Sequence, residues 1–244
     1  MAEGYDAELY ALLHCGNPGD LAFYLAACAP AKGVLEMGCG SGRILAALAA
    51  AGHRVVGVDL HEGLLQRAQQ KVVDYPNASL VHGDITTLDL GQRFERVIIP
   101  YNTLYCLLDD AAVAAALKRA HEHLTPGGRL LLDVYAADPV DPGQAVDEEA
   151  FCTPQHIVTL AGTSATIDVF ERSREDVANQ RLDVTYTYVI RGDDGTVKAP
   201  EYALPQRYLF EPQLRAHLEA ASFDVLAMDG DFAGSPYAAD QLHM

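Results

Sequence analysis

The sequence predicts an α/β protein: a doubly wound, mostly parallel sheet with an N-terminal helical cap and a small antiparallel β insertion after the fifth strand. Three observations predict it. Between residues 32 and 135, short apolar runs alternate with helical stretches, the pattern of a parallel sheet covered by helices. Several of those runs are almost continuously apolar, as strands buried on both faces require. Later in the chain the period changes to two, and Leu182, Val184, Tyr186, Tyr188 and Ile190 fall on one face.

Taken in order, two amphipathic segments at 5–14 and 20–29 come first, divided by Gly16-Asn17-Pro18-Gly19. Strands are expected at 33–37, 54–59, 79–82, 96–100 and 129–135, with helices at 41–51, 61–74 and 109–124 between them. The last helix stops at Thr125-Pro126-Gly127-Gly128, a stop-and-turn signal. Residues 136–156, rich in Pro, Asp and Glu, read as an exposed connection. Alternation over 166–172 and 182–190, with the turn signal Gly192-Asp193-Asp194-Gly195, predicts the antiparallel insertion. A helix at 212–221 and a strand at 223–228 return to the core pattern. The divisions are therefore 1–31 (cap), 32–135 (core), 136–210 (insertion) and 211–244 (return to the sheet), within a single domain overall.

Composition narrows the function. Half of the 244 residues are hydrophobic and 21% are charged, which fits a globular chain with one sizeable core. No apolar run approaches the roughly 20 residues of a membrane span, and the N-terminus lacks the basic start and apolar stretch of a secretory signal. The five cysteines are scattered without metal-like spacing, so no metal site is expected, and reduced thiols in a cytoplasm are the simple reading. A formal charge of −17 repels phosphate backbones, which counts against a nucleic acid partner.

Four signals fall at the ends of successive strands, where an open parallel sheet forms its ligand crevice. The first is Glu36-Met37-Gly38-Cys39-Gly40-Ser41-Gly42-Arg43, a glycine turn into a helix. Alone it is an ordinary tight turn. It is not a dinucleotide fingerprint, because Arg43 stands where that motif has its third glycine. The second is Asp59, whose two oxygens match a vicinal diol, or which could serve as a helix N-cap. The third is His82-Gly83-Asp84-Ile85, where the acid can accept from an amine and the Ile85 amide can donate, or where an Asx turn forms. The fourth is Pro100-Tyr101-Asn102, leaving the fourth strand.

In this order and at these positions, the four signals resemble the class I S-adenosylmethionine (SAM) methyltransferases. The Pro126-Gly127-Gly128 turn before the fifth strand is similar to the family pattern as well. The resemblance implies a Rossmann-like core that binds SAM and releases S-adenosylhomocysteine. Glu36, the turn Gly38-Cys39-Gly40 and Arg43 would lie at the amino acid end of the cofactor. Asp59 with Leu60 would lie at the ribose, Asp84 and Ile85 at the adenine, and Pro100 beside the methyl position. Tyr101 and Asn102 are acceptor-side candidates. Pro100-Tyr101-Asn102 departs from the Asp/Asn-Pro-Pro-aromatic order of enzymes that methylate base amines, a second argument against nucleic acid.

The segment from Tyr5 through Tyr10, His14 and Tyr24 is similar to the cap of small-molecule N-methyltransferases acting on amino sugars or glycine. In that setting Tyr24 is a cofactor contact and His14 an acceptor-side residue, with core packing the rival for both. The expected activity is in-line transfer of a methyl group to a nitrogen or oxygen of a small molecule, with no base assigned. Alternatives are a SAM-binding regulatory or partner protein without turnover, and a nucleotide-dependent oxidoreductase that Arg43 argues against. The family closes its sheet with a seventh, antiparallel strand, and this chain stops near where that strand would begin. A shortened chain is therefore expected, since an uncovered fifth strand would be an association hazard; a homodimer is a candidate assembly.

Overall fold

The computed structural model describes residues 5–136, 147–151, 156–160 and 163–238. The chain divides into two compact units, one built on residues 15–139 with 209–244 and the other on 3–14 with 140–208.

The first unit carries the parallel sheet. Its strands are β1 (Gly33–Met37), β2 (Arg54–Asp59), β3 (Ala78–His82), β4 (Phe94–Ile99) and β5 (Leu124–Leu132), in the spatial order β3-β2-β1-β4-β5 with every pair parallel. All five residues of β1 are buried, because the central strand is covered on both faces. Here α2 is Asp20–Cys28, α3 Arg43–Ala50, α4 Glu62–Val72, α5 Asp110–Glu122 and α6 Glu211–Ala220. Tyr24 and Cys28 of α2 pack with Ile44, Leu45 and Leu48 of α3 against Val34, Val55 and Ile98 of the sheet. Caps come from side chains: Asp109 opens α5 by accepting from Ala112 N at 2.8 Å, and His61 opens α4 by accepting from Leu64 N at 3.2 Å. His61, rather than Asp59, is thus the cap of α4.

Two differences from the sequence reading concern the edge of this sheet. Strand β5 begins earlier than expected, at Leu124. The register passes from Phe94↔Leu124 to Arg96↔Arg129, so Thr125-Pro126-Gly127-Gly128 forms a bulge within the strand, with Gly127 at φ 75°. The strand expected at 223–228 does not form: those residues lie outside any strand, although all but Asp224 are apolar. Among the described residues β5 therefore pairs on one side only, and a cavity of about 830 Å³ runs between it, α6 and residues 222–229.

The second unit contains α1 (Ala7–Leu13) and the antiparallel strands β6 (Asp147–Phe151), β7 (His156–Leu160), β8 (Thr163–Asp176), β9 (Arg181–Gly192), β10 (Val197–Lys198) and β11 (Glu201–Arg207). Strands β8 and β9 pair over twelve residues, from Ala165↔Gly192 to Asp176↔Arg181, and β11 lies on the other side of β9. Gly192 N donates to Thr196 O at 3.0 Å, closing the expected hairpin turn into β10. Leu9 of α1 is buried against Ile167, Val169 and Tyr188. Part of the 136–156 connection, the chain's first four residues and its last six lie outside the described residues. No described helix is long and apolar enough to cross a membrane.

Candidate active site

Because the five strands run parallel, the exits of β1 to β5 emerge along one end of the sheet. Gly38, Gly40 and Gly42 all have positive φ (81°, 51° and 76°), but for different reasons. A Cβ on Gly38 would lie 2.2 Å from Thr103 Cγ2, and one on Gly42 would lie 2.8 Å from Ala68 Cβ on α4. A Cβ on Gly40 would meet nothing within 4 Å. Gly38 and Gly42 thus permit packing, and Gly40 faces open space where a ligand can approach the backbone. The turn is held from β2: Gly38 N and Cys39 N both donate to Val58 O, at 2.7 and 2.9 Å.

Asp59 ties this turn to the next strand exit. Its Oδ2 accepts from Gly40 N at 2.7 Å and its Oδ1 from His61 N at 2.8 Å. Burial raises its pKa, and those two amides oppose the rise. A carboxylate has about four lone-pair sites, so both oxygens can still accept from a diol. Leu60 beside it is 45% exposed, one of few large apolar side chains left open. Glu36 is buried, and its pKa is pushed well above the carboxylate range by desolvation, with Arg43 opposing and Asp59 adding to it. Its Oε2 has no hydrogen-bond partner among the described residues, a buried polar atom still wanting a donor. The Cys39 side chain turns inward into the notch left by Gly57, where an added Cβ would lie 2.9 Å from its Sγ. Only its backbone is left to face a ligand.

Arg43 is fixed by the cap. Its two terminal nitrogens reach Asp20 at 2.9 and 2.5 Å, a bidentate pair with a buried carboxylate. The guanidinium lies so close to Gly16 that a Cβ there would stand 2.2 Å from Cζ, and Cζ is 6.0 Å from the Tyr101 ring centroid. Asp20 was not among the expected site residues. At the exit of β3, Asp84 Oδ1 accepts from Thr86 N at 2.8 Å and from its hydroxyl at 2.7 Å, the Asx-turn alternative, while Ile85 is buried. His82 Nε2 lies 2.9 Å from Leu60 O, linking this exit to that of β2.

The exits of β4 and β5 are laced together. Pro100 O accepts from Thr103 N at 3.2 Å and from Thr103 Oγ1 at 2.7 Å. Tyr101 and Asn102 both adopt positive φ, 55° and 59°, a conformation that costs non-glycine residues about 1 kcal/mol or more each. Four hydrogen bonds hold them and their surroundings. Asp133 Oδ1 accepts from Tyr101 N at 2.9 Å and from the Tyr24 hydroxyl at 2.5 Å. Asp133 O accepts from Asn102 N at 3.2 Å, and Asn102 Oδ1 accepts from Tyr135 N at 2.6 Å.

These contacts bear on four of the expected site residues. Tyr24 has no exposed surface and donates to Asp133, so its hydroxyl is engaged within the protein behind the strand exits. The Asn102 side-chain oxygen accepts from Tyr135 N and so joins two strand exits. The Tyr101 phenol accepts from the Gly16 backbone and faces the cap linker beside Arg43. His14 belongs to the other unit, with its ring 3.9 Å from that of Tyr10 and edge-on to Tyr186, and burial lowers its pKa to about 4. Sequence reasoning missed Asp133, although an acid ending the apolar run Leu130-Leu131-Leu132 repeats the pattern of Val58-Asp59.

The fold and these strand exits define the class of SAM-binding α/β enzymes, and the residues fit the cofactor. Gly40 leaves the space, Asp59 offers a diol acceptor, and Glu36 has a buried oxygen beside the turn that is without a partner among the described residues. Comparison with known proteins agrees. Residues 34–128 match a family model described as a methyltransferase domain. The chain is 29% identical over 211 residues to the cypemycin N-terminal methyltransferase of a Streptomyces species, covering 86% of this chain and 80% of that one. It is 29% identical over 240 residues to the dTDP-3-amino-3,6-dideoxy-alpha-D-glucopyranose N,N-dimethyltransferase of Streptomyces fradiae, covering 95% and 88%. Among solved structures, the CcbJ methyltransferase of Streptomyces caelestis superposes with a TM-score of 0.72 at 28% identity, over 93% of this chain and 87% of that one. The chain carries the methyltransferase domain and is a SAM-dependent methyltransferase. The oxidoreductase alternative gives way to this match.

Proposed function

We propose that the protein methylates a nitrogen of a small-molecule amine, with amino sugars as the leading class. The observation that carries this reading is the reach of the similarity. The methyltransferase domain covers only 34–128, where the donor site lies, whereas the likeness to the amino-sugar N,N-dimethyltransferase covers 95% of the chain and includes both flanks. The flanks are where acceptor identity resides. The second relative, acting on an N-terminus, is by its name also an amine methyltransferase.

Bound SAM supplies an electrophilic methyl group that needs alignment with the acceptor lone pair and exclusion of water. Gly40 opens the backbone to the donor, Asp59 receives its ribose hydroxyls, Leu60 and Ile85 flank its base, and Asp84 accepts from the exocyclic amine through the oxygen that Thr86 leaves free. Arg43, held by Asp20, meets the donor carboxylate with its remaining exposed edge. A neutral amine attacks without a base acting in the transition state, and none of the candidates around Tyr101 and Asn102 is suited to deprotonating a hydroxyl. Tyr101 is kept protonated by burial, and Asn102 does not titrate. The acidic surface supports a small partner over nucleic acid, and the protein is read as a cytoplasmic enzyme with a homodimer as its candidate assembly.

A panel of amino sugars, peptide N-terminal amines, amino acids and phenols, incubated with SAM and read by mass spectrometry, tests this. Methylation of an amine is expected. Product from phenols or other hydroxyls alone would overturn the nitrogen assignment.

A further inference from the structure

We propose that Asp133 is a positioning residue of the methyl-donor site, acting through Tyr24 and Tyr101 to fix Arg43. It rests on the reading above only in taking Arg43 as a donor contact. The buried carboxylate stands immediately after β5, and one oxygen, Oδ1, accepts both from Tyr101 N at 2.9 Å and from the Tyr24 hydroxyl at 2.5 Å. These donors come from the exit of β4 and from α2, so a single atom joins three elements that are remote in sequence. Its main-chain oxygen adds a bond from Asn102 N at 3.2 Å.

Each bond has a consequence toward the glycine turn. Tyr101 and Asn102 are held with φ of 55° and 59°, which non-glycine residues leave when nothing constrains them. In that conformation the Tyr101 phenol accepts from the Gly16 backbone, and its ring lies 6.0 Å from Arg43 Cζ. Gly16 in turn borders the guanidinium, at a separation that leaves no room for a Cβ. The bond to Tyr24 anchors α2, whose first residue, Asp20, grips both terminal nitrogens of Arg43. Asp133 thus sets Arg43 from two directions. Loss of its acceptor frees the Tyr101-Asn102 pair and α2 together, and the guanidinium loses its place.

What the role requires is an oxygen acceptor at Oδ1, which asparagine also provides. The test is calorimetric titration with SAM and with S-adenosylhomocysteine on the full chain. Asp133→Ala is expected to weaken SAM binding by about tenfold or more. Asp133→Asn should restore affinity to within about threefold of wild type, because an amide oxygen accepts the same two bonds. Tyr24→Phe should weaken SAM binding by a smaller factor, and the double variant Tyr24→Phe/Asp133→Ala should be no weaker than Asp133→Ala alone. The thermal midpoint without SAM should stay near wild type in Asp133→Asn, whereas a purely structural need for the charge would lower it along with affinity.

Wild-type affinity in Asp133→Ala would overturn the proposal. Equal loss in Asp133→Asn and Asp133→Ala would overturn it too, by showing that the charge itself matters. If Asp133→Ala fails to fold, Tyr24→Phe decides, and unchanged SAM affinity in that variant would sink the proposal. Failure of the wild type to bind SAM would instead refute the donor site as a whole.

Discussion

At Gly40 an added Cβ would meet nothing within 4 Å, whereas at Gly42 it would lie 2.8 Å from Ala68 Cβ and 3.0 Å from Ala68 Cα. Both residues have positive φ, so alanine brings backbone strain of about 1 kcal/mol to either. The difference lies in what fills the space. Gly42→Ala forces α3 against α4 and should cost a further 1–3 kcal/mol or so, read as a fall in thermal midpoint. Gly40→Ala should leave the midpoint nearer to wild type and reduce SAM affinity by about tenfold, since its methyl group enters the ligand's space. A larger stability loss in Gly40→Ala than in Gly42→Ala, with SAM affinity intact, would show the roles reversed. Asp59 and Asp84 differ in reach: each accepts from the amide two residues on, but Asp59 also accepts from Gly40 N in the glycine turn.

At the scale of elements, α1 docks on the antiparallel sheet through Leu9, and its C-cap residue His14 is packed between Tyr10 and Tyr186. Burial lowers the His14 pKa from 6.5 to about 4. The unfolded chain therefore takes up a proton at this site between those values while the folded chain does not. Folding stability falls as pH drops from about 6.5 to about 4 and is unaffected by this group above that window. His14→Phe should flatten that stretch of the stability-versus-pH curve, measured by denaturant unfolding. An unchanged slope would show that His14 titrates normally in the folded protein.

Elements also show how much could be read from sequence. The core strands were legible because burial on both faces leaves near-continuous apolar runs, and the β8–β9 pair because alternation is strict. Strand β11 was not, since Glu201, Pro205 and Gln206 dilute its pattern and only its pairing with β9 makes it a strand. Residues 223–228 show the converse: their nearly continuous apolar run suits a buried strand, yet a strand also needs a partner, and no described strand pairs with them. In the site, Gly40 and Asp59 were legible from local spacing. Asp133 and Asp20 were not, because their meaning depends on Tyr24, 109 residues away from the first, and on Arg43, 23 residues from the second.

For the whole molecule, the parallel sheet and the cap helix bring Glu36, Asp59 and the Arg43–Asp20 pair together from β1, β2, α3 and α2. The central claim is that the glycine turn and Asp59 together form the receptor for SAM. Calorimetric titration of SAM into the wild-type protein and into Asp59→Ala tests it most directly. Wild type should bind one SAM per chain, and Asp59→Ala should bind about tenfold to a hundredfold more weakly, the loss of one or more hydrogen bonds to a charged acceptor. Absence of binding heat with the wild type, or equal affinity in Asp59→Ala, would contradict the account.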